Sequence, residues 1–104
     1  MDNGILAEVR DGVHAAGLIS SNAQFCQLWL GKSECYMRSL RFSGVQPSAD
    51  ALATCASRLA HTASELRAQG KHSSAGDLDQ LRVRTYQALD QRALEVLQQK
   101  GICV

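Results

Sequence analysis

The residues of this chain best placed to do chemistry are a few arginines, and the chemistry is binding. Within residues 21–44, Lys32, Arg38 and Arg41 stand against one acid, Glu34, whereas residues 1–20 hold three acids and one arginine. On a helix starting near Ser33, the residues Tyr36, Met37 and Leu40 point one way and Glu34, Arg38 and Arg41 the other. That separation sets cations on an outward face above a buried one. Lys32 precedes the helix, near its positive end, where phosphate contacts are favoured. The other reactive residue types do not combine. Cys26, Cys35, Cys55 and Cys103 are 9, 20 and 48 positions apart, with no Cys-x-x-Cys pair, and no histidine lies three to five residues from another. A structural zinc site needs ligands converging from one turn, so the cysteines read as free thiols serving as small core residues, with Cys103 the exposed one. His14, His61 and His72 have no carboxylate or nucleophile at an orienting spacing. Gly-rich phosphate loops and G-x-S-x-G are absent from the sequence. The expectation is a binding protein with no catalytic residue, metal or cofactor.

The elements that must position these residues are helices. No Val/Ile/Thr alternation is long enough for a strand, and every strong apolar signal repeats near 3.6 residues. Five helices are expected, in an all-α fold. The first covers 3–16, with Ile5, Leu6, Val9, Val13 and Ala16 in one stripe, and Gly17 stops it. The second begins at Ser21, where Ser21 and Gln24 form a capping box, and runs through Phe25, Leu28 and Trp29 to Gly31. Trp29, spaced with Phe25, is expected in the core. The third runs from about 33 to 42 with Ser33 as its N-cap. The fourth starts at Ser48 behind Pro47 and reaches Ala68, with Leu52, Cys55, Ala56, Leu59, Ala63 and Leu66 on its inner face. Residues 70–76, GKHSSAG, read as a loop. The fifth runs from Gly76 or Asp77 to Gln99, with Leu78, Leu81, Tyr86, Leu89, Ala93, Val96 and Leu97 on a broad face.

With 104 residues, 45% apolar and 20% charged, the chain is sized and composed for one globular domain. A net charge of +1 excludes a polybasic coat for nucleic acid. Residues 12–31 lack full charges, but Ser20, Ser21, Asn22, Gln24 and Gln27 keep them out of a bilayer. The start, MDNGIL, has no basic stretch before an apolar one, so the expected address is the cytoplasm. A fifth helix about 34 Å long exceeds what four shorter helices can cover. Its flank, with Val83, Tyr86, Leu94 and Leu97, is therefore expected to meet a second copy.

Two short helices joined by a tight Gly-containing turn form the helix-turn-helix shape. The run Phe25…Trp29-Leu30-Gly31-x-Ser33-x-x-Tyr36…Leu40, then Gly44, Pro47-Ser48, Ala51-Leu52 and Leu59, resembles phage-repressor/Cro-type helix-turn-helix domains. It looks especially like small bacterial proteins sharing a Trp-Leu-Gly-x-Ser-x-x-Tyr core. The resemblance covers residues 3–68 and implies a sequence-specific regulator of transcription that binds double-stranded DNA. Glu34, Cys35, Arg38 and Ser39 would read bases, Lys32 and Ser33 would hold phosphate, and Arg41 would add a base or phosphate contact. Residues 1–69 would form the DNA-binding domain, 70–76 a loop, and 77–104 a dimerisation helix packed on that domain. The sequence departs from the pattern at Gln27, where a small residue is usual, and at Lys32, where an apolar one is. A longer second helix with Cys26 at the crossing, or a splayed pair, would accommodate both. The alternative is a helical protein-interaction module, an adaptor or antagonist of a regulatory protein, that binds no DNA.

Overall fold

Helical spacing of apolar residues decides every regular element of the chain. The computed structural model describes residues 4–99, apart from the side chains of Val96 and Gln99, and within that span the fold is all-α. Helix α1 covers Ile5–Ala15 and the short α2 covers Asn22–Gln24. The latter continues without a break into a π-helical turn, Phe25–Trp29. Helix α3 is Tyr36–Ser43, α4 is Ala49–Ala68 and α5 is His72–Gln99. Cys103 lies outside the described residues.

One core joins all of these elements except α2. Leu6, Val9 and Val13 of α1 meet Phe25, Cys26, Trp29 and Leu30, Met37 and Leu40 of α3, the inner face of α4, and Ala75 and Leu78 of α5. Trp29 is buried, as its spacing predicts, and Arg58 of α4 lies over its ring at 5.4 Å. The most extensive pairing is the α4–α5 hairpin, and α1 packs on α5 next to it. Gly12 makes that second contact close: a Cβ there would meet Leu81 Cδ1 at 2.6 Å. Arg84 pairs with Glu8 and Arg67 with Asp79 across these same helix pairs.

Two boundaries and the exposure of one side chain differ from the sequence reading. The stretch 70–76 is not a loop, because α5 begins at His72. Gly70, at φ +83°, ends α4 in a Schellman motif, with Lys71 N–H donating to Leu66 O and Gly70 N–H to Arg67 O. The chain thus reverses within three residues. Ala75 is then fully buried, so packing overrides the weak helix propensity of Ser73, Ser74 and Gly76. Asp77 and Asp79 consequently lie beyond the first turn of α5, and Asp79 meets Arg67 and Arg82.

The second difference is Leu28, expected inside and found 56% exposed. The π turn is wider than an α turn, and it buries Phe25, Cys26, Trp29 and Leu30 as a set four and five residues apart. Lys32 N–H closes it by donating to Cys26 O, six residues back, one more than in an ordinary Schellman cap. Cys26, not Gln27, is therefore the small residue turned inward, and Gln27 is exposed. The third difference is that α3 starts at Tyr36, so Ser33 does not cap it. The Ser33 carbonyl instead accepts from Tyr36 N–H, making residues 33–36 a β-turn ahead of the helix.

Candidate nucleic-acid interface

Tyr36 docks the short α3 onto the start of α4. Its phenolic oxygen accepts from Ser48 N–H at 3.1 Å and lies 3.4 Å from Ser48 Oγ, which itself accepts from Ala51 N–H and caps α4. Met37 and Leu40 complete the inner side of α3 and are buried. With that side fixed, Arg38, Ser39, Arg41 and Phe42 are left on the outside, all exposed. Arg38 donates to Cys35 Sγ at 3.0 Å, and neither Arg38 nor Arg41 has a carboxylate within ion-pair distance among the described residues.

The preceding turn holds the other expected residues. Ser33 and Glu34 are exposed and Cys35 is half-buried. They precede α3 and do not form its first turn, so the connection between the two helices spans residues 30–35, longer than the tight turn expected. Lys32 is committed elsewhere: its Nζ donates to Asp50 Oδ2 at 2.9 Å and lies 5.8 Å from the Tyr36 ring centroid. The hydrogen bond and charge of Asp50 raise the lysine pKa, with burial opposing. As a phosphate ligand Lys32 would first have to leave that acid.

Three residues join the surface that the sequence reading missed. Arg10 of α1 and Asn22 of α2 face Arg38 and Arg41 across a cavity of about 200 Å³. No local signal could have found them, because they lie on separate elements brought together by folding. Phe42 is 93% exposed and borders a second, shallow cavity with Arg38 and Arg41. It was discoverable, since it lies four positions from Arg38, on the same helical face.

The residues expected to meet a second copy lie apart from this surface, on α5. Val83, Tyr86 and Leu94 are exposed by 51%, 45% and 42%. Leu97 is half-buried. Tyr86, placed on the broad face with Leu78 and Leu81, is turned away from them, while Thr85, its neighbour, is fully buried and donates to Leu81 O. Cys26 and Cys55 are buried free thiols, in line with core use. No group of three His, Cys, Asp or Glu side chains among the described residues could hold a metal ion, and no described helix is long and apolar enough to cross a membrane.

No curated protein and no solved structure matches this chain. One family model does, over residues 6–98, which takes in all of the helical core from Leu6 to α5. The chain belongs to the family of unknown function DUF6626.

Proposed function

We propose that this chain is a sequence-specific, double-stranded DNA-binding regulator of transcription that works in the cytoplasm as a homodimer, with α3 and its preceding turn as the reading element. The observation that carries this is the pair Arg38 and Arg41: exposed, free of acid partners among the described residues, and held on a helix whose opposite side is anchored. A helix such as α3 is about 10–12 Å across with its side chains, which a major groove ~12 Å wide admits. Arg38 and Arg41 suit guanine edges or phosphate, and Ser33, Glu34, Cys35 and Ser39 flank them. Two copies would set two such helices about one turn of DNA apart, and α5 would join them through Val83, Tyr86, Leu94 and Leu97.

The test is binding to mixed genomic duplexes as salt rises. With Lys32 held by Asp50, a dimer offers four free arginines on its two α3 helices, so affinity should fall about 10²-fold from ~50 to ~200 mM salt. Arg38→Ala should relax base preference and weaken specific binding by ~1–3 kcal/mol without changing the melting temperature. Absence of duplex binding even at ~50 mM salt rejects this reading. The second reading, a protein-interaction module, is favoured by one observation. Phe42, 93% exposed beside Arg38 and Arg41, pairs an aromatic ring with arginines, residue types enriched at interfaces.

A further inference from the structure

The geometry points to an oxyanion site of phosphate type in the cavity between α1, the start of α2, and α3, with Arg10, Asn22, Arg38 and Arg41 as its ligands. This goes beyond the duplex reading, because the same groups would hold the phosphate of a small molecule or of a nucleic-acid backbone.

Three guanidiniums, one from α1 and two from successive turns of α3, line one cavity of about 200 Å³. Like charges repel, so such a convergence is stabilised by an anion placed between them. Internal partners use little of their capacity. Arg10 binds its chain neighbour Asp11 at 3.2 Å, Arg38 reaches only a thiol sulfur, and Arg41 has no ion pair among the described residues. A guanidinium carries five donors in a planar fork that matches phosphate oxygens, and most of these donors are left for a ligand. The Asn22 amide adds a neutral donor at the rim.

Glu34 is the one carboxylate among the described residues lining the cavity, so their sum stays net positive. Buried Cys26 and Met37 form its inner side, and a wall of low polarity strengthens charge-assisted hydrogen bonds. Arg10 is held close, with its side chain 27% exposed. Size selects the ligand class. The volume falls below the ~300–1,000 Å³ of pockets for drug-sized ligands, yet far exceeds the space one water needs. A single tetrahedral oxyanion fits.

The test is a titration of the full chain with inorganic phosphate at constant ionic strength, read by NMR of backbone amides and arginine side chains. Saturable shifts are expected at Arg10, Asn22, Arg38 and Arg41. Arg10→Gln and Arg41→Gln should each weaken binding about tenfold, the loss of a charge-assisted hydrogen bond. Glu34→Gln should tighten it, a gain that a misfolded variant cannot produce. The site is overturned by shifts that never saturate, by equal shifts at Arg84 and Arg92, or by a Glu34→Gln variant that binds phosphate no better. A parallel duplex titration identifies the source. Loss of duplex affinity in Arg10→Gln assigns a backbone phosphate, and unchanged duplex affinity assigns a small phosphorylated molecule. Saturable phosphate binding without any duplex binding removes the regulator reading and leaves the site standing.

Discussion

Cys55 lies fully buried on the inner face of α4, and desolvation pushes its thiol up from 9.0 to about 12. The folded chain therefore keeps a proton that the unfolded chain releases. Stability from this group is complete below pH 9.0 and is lost as the pH rises through about 12. Lys32 acts in the same direction. Asp50 raises its pKa above 10.5, so the pair's contribution is present below that value and fades above it. In an alkaline unfolding series followed by circular dichroism, Cys55→Ala should flatten the fall in stability that begins near pH 9.0. Asp50→Asn should flatten only the part above 10.5. The readout is the slope with pH, which separates titration from the cavity that Cys55→Ala leaves. The burial of Cys55 was legible in the sequence, because Leu52, Ala56 and Leu59 share its helical face. The Lys32–Asp50 contact was not, since its partners are 18 positions apart and only the fold brings α4 back to the turn.

Among the elements, the segment from Ser21 to Ser43 shows how far local rules reach. The Ser21 cap forms, with Ser21 Oγ accepting from Gln24 N–H, and Gln24 Oε1 reaches back to Ser20 N–H, one residue earlier than a standard capping box. The π turn that follows has no local sequence signature. Phe25, Cys26, Trp29 and Leu30 are buried along it, a spacing that an ordinary α turn also brings to one face, so their burial does not single out the π form. Gly31, at φ +65°, ends that turn, and a Cβ there would only touch Thr54 Cγ2 at 3.8 Å. Gly31→Ala should therefore destabilise by backbone strain alone, about 1–2 kcal/mol in urea unfolding. The denaturant slope should stay unchanged, because packing is preserved. A loss well above that range would mean that α3 itself had come loose.

For the whole molecule, the longest extent is 48 Å, and α5, with 28 residues, is about 42 Å of helix. Val83, Tyr86 and Leu94 make a second apolar stripe on α5, roughly opposite Leu78 and Thr85, with Asp90 in its midst. A stripe this narrow falls short of the ~800 Å² per partner of a standard interface, so self-association should be weak. Sedimentation should show a dimer that dissociates on dilution, and Leu94→Glu should give a monomer with an unchanged melting temperature. If the unmodified chain sediments as a monomer at every concentration, the two arginines of a single α3 would have to hold DNA alone.

The sequence alone determined the all-α class, the inner faces of α4 and of α1 (save Ala16, which lies past the end of α1 and is exposed), the caps at Ser21 and Ser48, and the outward turn of Arg38 and Arg41. These features follow from helical periodicity and from hydrogen bonds spanning three or four residues, which the chain encodes locally. Only the tertiary structure decided the late start of α3, the early start of α5, the capture of Lys32 by Asp50, and the meeting of Arg10 with Arg38 and Arg41. The physical reason is one of magnitude. Propensity differences are tenths of a kcal/mol per residue, on the order of 0.5, whereas burying one large apolar side chain contributes about 1.5–3 kcal/mol. Where Ala75 or Trp29 could reach the core, packing set the boundary and local preference gave way.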